Sequence, residues 1–296
     1  GSIGQRHLRN LKKISPKAQI YVLRKKFTTP ALDDSNKIIN CDLKEKYAIK
    51  YIKNLTDIIK NKINLDCALV CTPSSQHVAQ AIWLIKNNIN CFVEKPLGSS
   101  LKRIDELRSL LKKKDKIITM MGFQMRFNPV INYLKKIIKN SIIGKILTVN
   151  IHNGENLADF HLYEDYKISY AARKELGGGV LLSQIHEIDY MLHLFEDYKI
   201  TNKYSINSKI SDLKINVEDI FLGNFFLTRN KQKILCTLNL NFFERPKKRT
   251  ISIIGTKGSL EACLNKNKIT IITNKKKRNI NFNFNRNQIF IDELNF

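Results

Sequence analysis

The sequence predicts two domains: an α/β domain on a parallel sheet, then an α+β domain on an open, mostly antiparallel sheet with helices on one face. Three observations carry this reading. Short apolar runs alternate with helix-like stretches through residues 1–121, as in strands joined by crossover helices. That alternation stops at Gly122. From Glu218 onward, period-two segments are separated by turn sequences such as Thr228-Arg229-Asn230-Lys231 and Gly255-Thr256-Lys257-Gly258, which mark hairpins. Residues 1–121 and 122–296 are therefore expected to form separate domains.

In order, the first domain should hold a helix over 5–13, strands over 18–23 and 66–71, a helix over 76–87 and a strand over 90–94. A helix over 100–113, capped by Ser100, and a short strand over 117–121 complete it. Strands alternating with helices imply a parallel sheet covered on both faces. The second domain should open with a helix over 129–140, a strand over 145–152 and one largely apolar helix over 179–195. Six strands follow, over 220–227, 233–243, 249–255, 259–264, 268–273 and 280–284.

Composition narrows the class. The 43% apolar and 26% charged content of the 296 residues is that of a folded chain. No run approaches the roughly 18 apolar residues of a membrane helix, and the start lacks a signal-peptide pattern, so no membrane partner and a cytoplasmic location are expected. The six cysteines are scattered, mostly in apolar runs and without a CxxC pair, which predicts buried reduced thiols and no metal site. The net charge of +25 raises nucleic-acid binding, but the lysines are spread along the chain among many Ile and Asn residues, as AT-rich coding produces. No nucleic-acid partner is expected; attraction of anionic ligands remains.

Several segments carry chemistry. Gly1-Ser2-Ile3-Gly4 runs into a helix and matches the second half of G-x-G-x-x-G, whose glycines let backbone approach a pyrophosphate at a helix N-terminus. A Gly-Ser start is also a common cloning scar; the Ile-Gly-x-Arg-His that continues it argues for the motif. About 20 residues further on, where an acid would meet a ribose 2'-hydroxyl and a base a 2'-phosphate, the chain reads Leu23-Arg24-Lys25-Lys26. Arg24 thus favours NADP over NAD, the alternative being a solvated turn. Thr72 and Pro73 form a turn at the carboxyl end of a parallel strand, where open sheets bind ligands, and His77 after it is either a cofactor contact or a surface residue. Lys95, between Glu94 and Pro96 at the end of a buried strand, can aim an ammonium at a substrate oxygen and stabilise developing negative charge.

These segments, with Gly122-Phe123-Gln124-Met125-Arg126-Phe127-Asn128-Pro129 and Gly177-Gly178-Gly179-Val180, follow the order and spacing of the glucose-fructose oxidoreductase / inositol dehydrogenase (Gfo/Idh/MocA) family, which the chain resembles over nearly its whole length. The resemblance implies a Rossmann-type domain binding NADP or NAD through Gly1, Ser2, Ile3, Gly4, Arg24, Thr72, Pro73, His77, Glu94, Lys95, Pro96 and Gln124. It makes Lys95 the catalytic lysine, with Glu94 and Pro96 shaping the nicotinamide pocket and Gln124 near the nicotinamide. His186 becomes the general acid/base, a role its ordinary titration range suits. Family members usually carry an Asp where this chain has Ser183, one turn before His186, so an orienting carboxylate would have to come from Glu187 or Asp189. Substrate contacts are expected from Lys95, Arg126, Tyr166, Tyr170, Arg173, Ser183 and His186: tyrosines suit sugar rings, and Arg173 suits carboxylate or phosphate.

The implied activity is hydride transfer to or from a hydroxyl or carbonyl carbon of a sugar, cyclitol or sugar nucleotide, in surface-polysaccharide or nonulosonic acid biosynthesis. The alternative is a non-catalytic cofactor-binding regulator or scaffold on the same fold. Lys95 and His186 are expected to meet in one pocket, and the sheet of the second domain to build a homodimer or homotetramer. Compared with the family, the chain opens past a first apolar strand and one glycine, and residues 288–296 look like the start of a C-terminal helix. Two unpaired sheet edges, poor folding and weak cofactor binding would follow.

Overall fold

The computed structural model describes residues 1–24, 30–274 and 276–296. Lys25 and Lys26 of the predicted basic turn lie outside the described residues. The chain divides into two units, residues 1–122 with 294–296, and residues 123–293.

The first unit begins with α1 (Ser2–Ile14) and β1 (Ile20–Leu23). α2 (Leu43–Tyr47), β2 (Ile49–Ile52) and α3 (Thr56–Lys60), none of them expected from the sequence, come next. β3 (Cys67–Val70), α4 (His77–Lys86), β4 (Asn90–Glu94), α5 (Ile104–Lys113) and β5 (Thr119–Gly122) complete it. All pairings are parallel, yet the strands form two sheets, β1–β2 and β3–β4–β5. Between them lies a cavity of about 550 Å³ lined by apolar side chains including Leu8, Leu11, Val22, Leu69, Val70 and Leu84. Among the described residues, β1 and β3 each keep one unpaired edge, so the single expected sheet is split. A buried core of Val78, Ala81, Ile82, Ile85, Val93 and Leu107 holds α4 and α5 on the larger sheet. Ser100 does not cap α5: its hydroxyl accepts from the Lys102 amide, and the helix starts at Ile104 with Arg103 as an uncapped first position.

The second unit starts with α6 (Pro129–Lys139), capped by Asn128, whose side chain accepts from the Val130 amide. β6 (Ile146–Gly154), α7 (Val180–Ser183) and α8 (His186–Leu194) follow. The remaining strands are β7 (Lys199–Ser208), β8 (Ile220–Arg229), β9 (Gln232–Asn241), β10 (Lys248–Gly255), β11 (Gly258–Cys263), β12 (Lys268–Thr273) and β13 (Lys277–Asn281), before α9 (Gln288–Leu294). The eight-stranded sheet runs β13-β12-β11-β10-β6-β9-β8-β7, antiparallel throughout except at β6–β9. Register explains its two faces. Ile271, Leu260, Ile253, Val149, Cys236 and Phe225 share one cross-strand row and are all buried. Cys236 Sγ in that row lies 3.4 Å from Met191 Sδ, so α8 covers this face. The neighbouring residue of each strand points the other way.

The thiols are free, as expected, but only Cys91 and Cys236 are buried; Cys67 is exposed. Burial pushes Cys91 up to about 11 and Cys236 up to about 12, so both stay protonated at neutral pH.

Candidate active site

In the first unit the predicted cofactor residues sit where strands end and helices begin. Gly1 precedes α1, whose first turn has no side-chain cap and no acidic residue. The backbone N–H groups of a helix start then suit an anion, and a pyrophosphate fits this requirement. A Cβ on Gly4 would already touch the Cys71 side chain at 3.4 Å, so α1 approaches the end of β3 closely. Arg24, half-buried, follows β1 directly.

The Glu94-Lys95-Pro96 turn is held from both sides. Glu94 is 5% exposed, and its Oε1 lies 2.6 Å from Nε2 of His7, itself 1% exposed. Its Oε2 accepts from the Lys95 amide at 3.1 Å. The ring of His7 meets Phe92 edge-on at 5.2 Å. Pro96, joined to Lys95 by a cis peptide bond, has its carbonyl 2.7 Å from His77 Nδ1. His77 is therefore no surface residue: it is 1% exposed, and its Nε2 lies 2.8 Å from the Thr72 carbonyl. The Thr72 hydroxyl donates to Gln80 on α4. In the sequence, His7 stands out only as part of the Ile-Gly-x-Arg-His motif. The signal for its role was its position one turn after Gly4 on an amphipathic helix, with a buried carboxylate needing a partner.

In the second unit, the glycine turn before α7 is shaped by crowding. Gly177 and Gly179 have φ of +85° and +108°. A Cβ on Gly178 would come within 2.5 Å of the Tyr170 and Ala171 carbonyls, and one on Gly179 would overlap the Glu218 carboxylate. Gly179→Ala is therefore expected to destabilise the protein by about 1–3 kcal/mol, measurable as a shift in denaturant midpoint. The predicted continuous helix is broken: Gln184, 5% exposed, donates its side-chain amide to the Asn241 carbonyl, and α8 restarts at His186. Ser183 and His186 thus lie on two helices, not one turn apart on a single face.

His186 is 7% exposed; the Gln124 amide nitrogen lies 3.1 Å from its Nε2, and Phe123 packs edge-on at 6.0 Å. The Gln124 side-chain amide nitrogen donates to Nε2, which puts the ring proton on Nδ1. The two carboxylates considered as substitutes for the usual Asp have other partners. Arg126 forks onto Asp189 with contacts of 2.6, 3.0 and 3.1 Å, and Arg249 Nε meets Glu187 Oε1 at 2.6 Å. Hydrogen bonding to Asp189 holds the Arg126 guanidinium above its ordinary value despite partial burial. Burial and the positive charges of Lys135 and Arg126 lower the pKa of His193 one turn further along.

Upstream, the half-buried Tyr166 accepts from the Lys214 amide through its hydroxyl, and Tyr170 is half-buried. Arg173 donates to Glu175 at 2.5 Å. Together with Lys167, Lys209, Lys214 and Asp212, these two residues line an open cleft of about 510 Å³. Ser211 of its lining is fixed by Asp219, which accepts from the Ile210 and Ser211 amides and the Ser211 hydroxyl. The cleft is cationic on balance, which suits the anionic ligands expected of Arg173.

The chain thus joins a parallel-sheet unit, with an uncapped helix start at its glycine turn, to a mostly antiparallel-sheet unit in which a second glycine turn leads into α7 and His186 opens α8. Residues 1–123 match the profile described as "Oxidoreductase family, NAD-binding Rossmann fold", and residues 131–261 match the GFO/IDH/MocA C-terminal domain. The chain belongs to the Gfo/Idh/MocA oxidoreductase family. It is 31% identical over 145 residues to 2,7-anhydro-N-acetylneuraminate hydratase of Escherichia coli K12, and 32% identical over 146 residues to myo-inositol 2-dehydrogenase of Thermotoga maritima. Those stretches cover 48% and 49% of this chain and 37% and 40% of the relatives, so the match spans about two fifths of their length. Levoglucosan dehydrogenase in complex with NADH and levoglucosan shares the fold at TM-score 0.78 and 15% identity, covering 99% of this chain and 85% of that one.

Proposed function

We propose that this chain catalyses hydride transfer between NAD(P) and a hydroxyl or carbonyl carbon of a sugar, cyclitol or sugar nucleotide. The observation that carries the reading is the doubly anchored Glu94-Lys95-Pro96 turn at the carboxyl end of β4, where a parallel sheet presents its ligands. When bound, the nicotinamide nucleotide supplies or accepts the hydride. The α1 start (Gly1, Ser2, Ile3 and Gly4) would hold its pyrophosphate; Thr72, Pro73, Glu94, Pro96 and Gln124 would border it. In the oxidising direction, the Lys95 ammonium donates a hydrogen bond to the substrate oxygen and stabilises the negative charge that grows there as the O–H proton leaves, before the hydride departs from the carbon. The O–H proton goes to Nε2 of His186, with the Gln124 amide turning to accept instead of donate. Tyr166, Tyr170, Arg126, Arg173 and Ser183 would contact substrate, and the cationic cleft beside Arg173 suits a carboxylate- or phosphate-bearing one. The hydratase relative supports a link to nonulosonic acid chemistry. NADPH and NADH oxidation should be screened against keto-sugars, keto-cyclitols and sugar nucleotides; turnover lost in Lys95→Met supports the reading, and no turnover with any of them defeats it.

Arg24 favours NADP. Arg24→Ala is expected to weaken NADPH binding by about 10–100-fold, the size of one charge-assisted hydrogen bond, with NADH binding little changed; cofactor fluorescence titration measures both. A scaffold reading draws on Ser183 standing where family members usually carry an acid, and cofactor binding without turnover would favour it.

Among the described residues, no helix is long and apolar enough to cross a membrane; we place the protein in the cytoplasm. Self-association has a candidate surface. Ile272, Ile254, Leu235 and Phe226 share one row across the outer face of the eight-stranded sheet, with Ser259 and Thr148 between them, the first three 48%, 47% and 41% exposed. An apolar stripe of this kind suits an isologous dimer or a tetramer, and a monomer by light scattering would rule it out.

A further inference from the structure

His77 is the first residue of α4 and is 1% exposed. Both ring nitrogens face backbone carbonyl oxygens, Nδ1 that of Pro96 at 2.7 Å and Nε2 that of Thr72 at 2.8 Å. A carbonyl oxygen only accepts, so each contact is a hydrogen bond only if that nitrogen carries a proton. A neutral imidazole has one N–H; the imidazolium has two. We propose that His77 is a positively charged clamp that ties the turn after β4 to the turn after β3 and thereby positions Lys95.

The rest of the surroundings fit the clamp. Thr72 is fixed a second time by its hydroxyl bond to Gln80, one turn further along α4. A Cβ on Gly98 would come within 2.8 Å of Val78 Cγ2, so the chain leaving Pro96 also lies close against the start of α4. The start of a helix is the less favourable end for a cation, and burial disfavours charge, so two charge-assisted bonds to carbonyls are the compensation the site offers. The charged or titratable groups on the surrounding elements are few. Glu94 ends β4, with its Oε1 2.6 Å from Nε2 of His7 of α1, and Lys95 follows it. Cys71, just past β3, is held protonated by burial, the Glu94 charge adding to the effect. Cys67 lies at the opposite end of β3, and β5 carries no such group. On α4 itself, Lys86 is nine residues on, about 13 Å along the axis, and pairs with Glu106 of α5. With neutral His77 one of the two turns is released, and Lys95 sits in one of them.

The charge state stands on geometry alone; the role toward Lys95 rests on the proposed hydride transfer. Nitrogen-15 NMR of the histidine-labelled chain at neutral pH reads the charge state directly. The His77 signals are assigned as those that persist when His7, His152, His161, His186 and His193 are replaced one at a time. Two protonated ring nitrogens are expected, and one bare ring nitrogen overturns the clamp. In steady-state kinetics with a substrate found by the screen, His77→Gln keeps a donor for only one carbonyl. Its kcat should fall by about 10²-fold with substrate KM changed little, the pattern of a misplaced catalytic group. An unchanged kcat in His77→Gln beside an inactive Lys95→Met overturns the positioning role. Full turnover in Lys95→Met would instead defeat the hydride-transfer reading, and the NMR result would still decide the charge state.

Discussion

Lys95→Met is expected to lower kcat by about 10²–10³-fold, the usual loss when one donor to a charge-developing oxygen is removed. Methionine keeps the length and the apolar stem of lysine while removing the ammonium. The backbone at this turn is fixed by groups the substitution leaves alone: Glu94 stays on His7, and the Pro96 carbonyl stays on His77. The melting temperature should therefore hardly move, and cofactor binding should survive, which separates loss of chemistry from loss of fold. Stopped-flow or steady-state rates with a keto-sugar and NAD(P)H make the comparison. If the interaction is made only in the transition state, kcat and kcat/KM fall together with KM unchanged. A rise in KM alone would reassign Lys95 to ground-state substrate binding.

Much of this architecture was legible in the chain because its strands and helices are locally consistent. β12 has the expected bounds, 268–273, since Ile269 and Ile271 fall on one buried face, two residues apart, between clear turns. The ten-residue β7 was missed because its sequence, Lys199 to Ser208, is mostly polar and exposed; it is an edge strand held by pairing with β8 rather than by burial. The break between α7 and α8 was missed for a different reason. The apolar period runs through it, and the interruption comes from Gln184 reaching the Asn241 carbonyl at the end of β9, 57 residues away. β2 and the short helices beside it carry too little pattern in four- and five-residue stretches to stand out. In the site, glycines and the Glu-Lys-Pro segment were visible as motifs. Their supports were not, because His7 to Glu94, Arg126 to Asp189 and Arg249 to Glu187 are all contacts between distant residues.

That last pair carries the largest expected effect on stability. Glu187 follows His186 on α8, is fully buried, and meets Arg249 of β10, whose side chain is 22% exposed. Burial draws the Arg249 guanidinium down, but the Glu187 charge and Tyr190 outweigh it and hold it above its ordinary value. The fully buried Tyr190 hydroxyl is pushed well above its ordinary range, chiefly by burial and then by Glu187. Arg249→Met removes the guanidinium that Glu187 Oε1 meets inside the protein, which should cost about 3–5 kcal/mol in denaturant unfolding. The pH dependence has a definite sign. Without its partner, Glu187 will have a folded-state pKa raised above its unfolded value of about 4.3. The variant should therefore lie nearest to wild type below that pH and lose further stability as pH rises through the folded value. Glu187→Leu/Arg249→Met removes both members of the pair and should recover most of the loss. If the double variant is as unstable as Arg249→Met, the pair matters through shape and packing, and the anchoring of α8, with His186 at its first position, cannot be credited to charge.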